Sequence, residues 1–110
     1  MKVVYNTCFG GFSISYECAT WMAHRGNQEC LRLLKEADED PDMEFYGSLS
    51  RTPRHDALLV MAVEHLGQER ASGYCAELDV HKLSGNRYVI REYDGAEHIE
   101  EPHNIDWVTV

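Results

Sequence analysis

Two short segments of this 110-residue chain carry residue types and spacings that can do chemistry. The first is Asn6-Thr7-Cys8-Phe9-Gly10-Gly11-Phe12-Ser13. Adjacent glycines let a backbone approach a ligand closely, and a helix start just after them offers unsatisfied N–H groups to an anion. Phe9 and Phe12 flank the glycines and can stack on a base. The segment lacks the G-x-G-x-x-G spacing and the lysine of a phosphate loop. A tight strand-to-helix turn with two core phenylalanines therefore accounts for it as well. The second segment is Arg51-Thr52-Pro53-Arg54-His55-Asp56. It leads into a predicted helix, and guanidinium, imidazole and helix dipole all favour phosphate there. A solvated loop whose arginines offset nearby acids is the plainer alternative.

Other reactive residues carry less. Cys8, Cys18, Cys30 and Cys75 form no C-x-x-C pair, so a zinc ribbon or thioredoxin-like site is not expected. They read as reduced, small apolar residues. The six histidines form no H-E-x-x-H, and Pro102 separates His98 from His103. No metal or other cofactor is expected. Cys8 precedes a glycine turn, a setting that can activate a thiol, but the spacing identifies no base beside it. No catalytic residue is expected. On a predicted late strand, Arg91 and Tyr93 share a face with Val89; that face suits a ligand, a partner or cross-strand packing. The expected ligand-binding residues are Asn6, Thr7, Phe9, Gly10, Gly11, Phe12, Ser13, Arg51, Arg54, His55, Arg91 and Tyr93.

The elements that must position these groups read as follows. Lys2 to Asn6 is β-branched and aromatic, a first strand. Ser13 or Ser15 caps a helix over about Tyr16–Arg25, with Gly26 as its stop and Ile14, Cys18, Trp21 and Met22 as its buried stripe. Asn27 caps a second helix carrying Leu31, Leu33 and Leu34, which ends in an acidic run before Pro41. Met43 to Tyr46 is a short edge strand or an ordered loop. Asp56 to Leu66 is a third helix, with Leu59, Ala62, Val63 and Leu66 on one face and Gly67 as its cap. Ala76 to His81 alternates as a half-buried strand. Arg87–Tyr93 and Ala96–Glu101 flank Asp94-Gly95, a strong two-residue hairpin signal. Its register pairs Ile90 with Ile99, Arg91 with His98, and Glu92 with Glu97. The last is a like-charge pair that needs a cation nearby. Pro102 ends the strand, and Trp107-Val108-Thr109-Val110 reads as an edge strand or a partner contact. The fold class is α+β: a mainly antiparallel sheet of about four strands with two or three helices on one face.

The length fits a single domain, residues 1–110, with a real core. The net charge is -9. Acids concentrate at Glu36, Asp38, Glu39, Asp40, Asp42 and Glu44, and again at Glu92, Asp94, Glu97, Glu100, Glu101 and Asp106. No basic stripe is visible, which argues against polymeric nucleic acid as a partner. Acidic runs of this kind are ordinarily solvated; nucleic-acid mimicry is the minority reading, and nothing spaces these charges like phosphates. No apolar run approaches the length of a membrane span, and the start turns polar too soon for a secretory signal. A cytoplasmic location is expected.

Three stretches together resemble a group of small phage and prophage proteins. They are Tyr5 to Ser15, reading Y-N-T-C-F-G-G-F-S-I-S; Arg54 to Val60, reading R-H-D-A-L-L-V; and Glu92-Tyr93-Asp94-Gly95 with Glu97. The group carries Asp-Pro after the basic residues where this chain has Asp56-Ala57, and His-Arg where it has His103-Asn104. The resemblance implies a host-cytoplasmic protein that blunts bacterial immunity. One such class is a sponge that holds a nucleotide-derived signal, such as a cyclic ADP-ribose isomer of a Thoeris system, without cleaving it. A sponge of this kind commonly uses oligomer interfaces, so a homo-oligomer is expected. Two alternatives stay open: an inhibitor that binds a host defence protein through its acidic surface or apolar tail, and a small hydrolase or lyase with His55 as general base.

Overall fold

A computed structural model describes residues 1–40 and 45–104. The described residues form four strands and three α-helices: β1 (Lys2–Asn6), α1 (Tyr16–Ala23), α2 (Gln28–Glu39), α3 (Ala57–Ala71), β2 (Leu78–Lys82), β3 (Val89–Tyr93) and β4 (Ala96–Glu100), then a 3₁₀ turn over Pro102–Asn104. The class is α+β with every strand pair antiparallel, as the patterning predicts. The four strands form two ribbons, β1–β2 and β3–β4, rather than one continuous ladder.

Local chemistry explains the boundaries. Ser15, Asn27 and Asp56 each cap a helix with a side-chain oxygen that accepts the N–H three residues on, at 3.0, 2.8 and 3.1 Å. Gly67 leaves helical geometry at φ 83°, as a cap should, but the chain then resumes one more turn to Ala71. In α2 the buried residues are Glu29 and Cys30, while Leu31 is exposed. Of the three leucines expected on this helix, Leu34 packs against the core and Leu33 is half-buried, while a carboxylate is buried beside Cys30. In the hairpin, Asp94 and Gly95 both take positive φ, 52° and 91°, the signature of a type I′ turn. That turn sets the predicted register, including Glu92 opposite Glu97. The expected strand at Met43 to Tyr46 falls partly outside the described residues, as do Asp106 and the Trp107 to Val110 segment; Gly47 makes a single bridge to Ile14.

The core lies between the helices and the β1–β2 ribbon. Val4, Ile14, Cys18, Met22, Leu59, Ala62 and Leu78 are essentially inaccessible. β1 is buried on both faces and closed along both edges. β2 pairs with one edge. On the other, the Val4 N–H donates to the Arg54 carbonyl at 2.8 Å and the Asn6 N–H donates to the Glu97 carboxylate at 2.9 Å. The segment after the glycines is held as firmly. Ile14 N–H donates to the Gly47 carbonyl, Ser15 N–H to Ala71, and Gly73 N–H to Ser13.

Candidate functional site

The glycine loop, the Arg54 segment and the β3–β4 turn meet at one place. Asn6 is the hub and is fully buried. Its Nδ2 donates to the Cys8 and Gly95 carbonyls at 2.7 and 2.8 Å. Its Oδ1 accepts from the Cys8 and Glu77 N–H groups at 3.2 and 2.9 Å. One carboxamide thus staples the loop to β2 and to the hairpin turn. The contacts are so close that side chains are excluded. A Cβ at Gly10 would overlap the Cys75 carbonyl, and one at Gly95 would overlap the backbone nitrogens of Gly10 and Gly11.

Arg54 stands above the Phe12 ring, 3.5 Å from its centroid, and forms a two-pronged ion pair with Glu97 at 2.6 and 2.9 Å. Glu97 Oε1 also accepts the Asn6 N–H. Three donors therefore converge on one carboxylate that is almost inaccessible to solvent. This is the cation that the Glu92–Glu97 register demands, and it comes from α3's approach rather than from the hairpin itself. The phenylalanine expected to stack on a base carries a guanidinium instead.

The loop between these anchors has a different character. Phe9 and Gly10 form a hydrogen-bonded turn that closes on Gly11, and the Gly10 and Gly11 nitrogens lie against Gly95, which leaves the Phe9, Phe12 and Ser13 N–H groups with no acceptor among the described residues. The Ser13 hydroxyl is buried and has no partner there either. Phe9 is 65% exposed, and Tyr74, beside the Cys75 that touches Gly10, is 86% exposed. Unpaired loop N–H groups near a guanidinium can hold an anion, and an exposed ring beside them can stack on a flat group.

The remaining expected residues fall into separate settings. Thr7 is exposed, and its hydroxyl donates to the Glu77 carbonyl. His55 Nδ1 lies 2.7 Å from the Tyr88 hydroxyl. Burial pushes the Tyr88 phenol up and nearby Arg54 pulls it back, a net rise. Arg91 pairs with Glu100 and, with Tyr93 at 79% exposed, lies on the outer face of the hairpin. Arg51 lines a different cavity of roughly 290 Å³ at the start of α2, with Arg32 and Glu29. There the Glu29 carboxylate accepts the N–H groups of Ser50, Arg51 and Thr52 at 2.7 to 3.1 Å. So of the expected set, Asn6, Gly10, Gly11, Phe12 and Arg54 are brought together, and Arg51, His55 and Arg91 are engaged elsewhere.

Gly95 and Glu97 complete this site and were not among the expected ligand-binding residues. The like-charge hairpin register and the Glu92-Tyr93-Asp94-Gly95 stretch with Glu97 were the sequence signals for it. Among the described residues no group of three His, Cys, Asp or Glu side chains can hold a metal ion. No helix is long and apolar enough to cross a membrane. No protein-family model, curated protein or solved structure matches the chain.

Proposed function

We propose that this protein binds a small, phosphate-bearing, nucleotide-derived ligand at the glycine loop and holds it without cleaving it. The observation that carries this reading is the set of backbone N–H groups at Phe9, Phe12 and Ser13 with no acceptor among the described residues, in the loop whose Phe12 ring carries the Arg54 guanidinium. Free N–H groups in a glycine turn supply fixed positive dipoles at no reorganisation cost. Exposed Phe9 offers a face for a base. Arg54 joins by exchanging its internal partner, Glu97, for a ligand phosphate. The phage-protein resemblance makes an ADP-ribose-like immune signal the first ligand to test.

The experiment is mass spectrometry of small molecules released by heat from protein expressed beside a signalling operon, with thermal shifts against ADP-ribose derivatives. Recovery of an unaltered nucleotide in stoichiometric amount supports the reading. An empty protein with no shift sinks it, and substoichiometric consumption of the signal converts it to an enzyme. Arg54→Ala is expected to weaken binding by about 1.5–3 kcal/mol, the scale of a charged hydrogen bond. Glu97→Gln, which keeps the shape and frees the guanidinium, is expected to bind at least as well as the parent.

The direct inhibitor remains the second reading, favoured by one feature. The outer hairpin face exposes Tyr93 and Val89 together. A stoichiometric host protein captured through that face, lost in Tyr93→Ala and with no nucleotide bound, decides for it.

A further inference from the structure

A second site lies on the helical side of the molecule. A groove of roughly 450 Å³ runs between α1 and α3, lined by Tyr16, Trp21, His24, Arg25, His65 and Arg70 among others. That volume falls within the general range of small-ligand sites. Its composition runs against the whole chain, which carries 19 acids against 10 lysines and arginines. Here two arginines and two histidines face a single carboxylate, Glu17. Glu17 is moreover engaged: both its oxygens accept from Arg70 across the mouth of the groove.

The lining also presents an aromatic floor. The Arg25 guanidinium lies 3.6 Å from the centre of the Trp21 ring, and the His65 ring sits 5.7 Å from it at a tilt of 32°. The Trp21 indole N–H is buried and donates to nothing among the described residues. An orphaned donor costs free energy unless something accepts from it.

We infer that this groove is a binding site for a small phosphomonoester bearing a flat ring, of mononucleotide size. Arg70 takes the phosphate by releasing Glu17, and the ring packs against His65 and the Arg25 guanidinium that covers Trp21. No bond in the ligand is made or broken. The site is distinct from the glycine loop and shares no residue with it, so its test is independent of the function proposed above.

The test uses the full chain carrying Trp107→Phe, which leaves Trp21 as the single tryptophan. Adenosine 5′-monophosphate is titrated while tryptophan emission is followed, with adenosine as the uncharged control. Saturable quenching by the monophosphate is expected, with adenosine at least about tenfold weaker, as loss of one charged hydrogen bond requires. Arg70→Ala is expected to weaken the monophosphate by about tenfold or more. Glu17→Gln breaks the same ion pair but keeps the arginine, so it is expected to bind as tightly as the parent or tighter. Equal binding of adenosine, absence of saturable quenching, or a loss in Glu17→Gln that matches Arg70→Ala would each overturn the inference. Arg54→Ala, in the glycine-loop site, is expected to leave this titration unchanged.

Discussion

At the residue scale the chain repeatedly uses its own carboxylates as internal anions. Glu97 takes three donors, and Glu29 takes the N–H groups of a whole turn. Glu101 takes the Ser84 N–H and hydroxyl, with His81 at 3.1 Å. Burial alone would raise the pKa of Glu29, but the donors of Ser50, Thr52 and Arg51 outweigh it and hold the group at about 2. Glu101 is likewise held at about 2, chiefly by His81 and the Ser84 N–H against its burial. In both cases the folded value lies below the ordinary 4.5. Folding thus favours the charged form. That stability is present above about pH 4.5 and drains as pH falls toward about 2. Urea midpoints measured down this window are expected to decline, and Glu29→Gln is expected to start lower and decline less steeply. A parent curve flat across the window would refute the assignment. The cysteines divide by the same logic. Burial pushes the Cys18 thiol up to about 12 and that of Cys30 up to about 11. Both are expected to resist iodoacetamide in the native protein, with exposed Cys75 labelled first and half-buried Cys8 after it. Peptide mapping that finds Cys18 alkylated ahead of Cys75 would contradict the burial order.

At the element scale the hairpin is docked by polar contacts, not by a large apolar face. Arg54 and Asn6 hold β4, and the turn fits only because residue 95 is glycine. Gly95→Ala is expected to suffer twice, from φ 91° and from overlap with the Gly10 and Gly11 nitrogens. Together these cost about 2–4 kcal/mol, combining the penalties for strained backbone and for overpacking. Native-state hydrogen exchange is expected to show β3–β4 amides opening first in this variant while α1 and α3 stay protected. Uniform loss of protection across the chain would mean that the hairpin and helices unfold as one unit. Much of this architecture is legible in the sequence. The Asn27 cap, Ser15 as one of two candidates for the first cap, the Asp94-Gly95 turn and its register follow from local rules about which side chains satisfy which backbone groups. What local rules cannot supply is a partner distant in sequence. Leu31 fits the helical stripe, yet α2 turns Glu29 inward because the 50–52 turn brings N–H groups to it. Phe12 was legible as an aromatic beside glycines but not as the platform for Arg54, 42 residues away in sequence. The glycine loop was legible as a candidate anion site, whereas Glu97 beneath it was visible as a like-charge pair in need of a cation and not as the partner of Arg54.

At the scale of the whole molecule the charge distribution sets the balance between binding and stability. A net charge of -9 on 110 residues repels itself, and α2 ends in Asp38 and Glu39 with no base in its last turn. Those acids face the negative end of the helix dipole, where they are unfavourable. Exposed ion pairs oppose the repulsion only weakly. Lys2–Glu64 and Arg70–Glu17 are both largely open to solvent, and such pairs contribute about 0–1 kcal/mol each. Salt screens both effects, with a Debye length of about 10 Å at 0.1 M. The repulsion sums over many distant pairs, while the attraction rests on a few close ones, so screening removes more repulsion than attraction. The Arg54–Glu97 pair, mostly sheltered from solvent, is screened least. Raising sodium chloride from low ionic strength to about 0.1 M or above is therefore expected to raise Tm by roughly 4 °C, the shift that about 1 kcal/mol produces in a chain of this size. Asp38→Lys, which places a cation at the helix end, is expected to raise Tm at low salt and to shrink the salt response. A Tm that falls with salt in the parent would show that close ion pairs, not the summed repulsion, dominate its electrostatics.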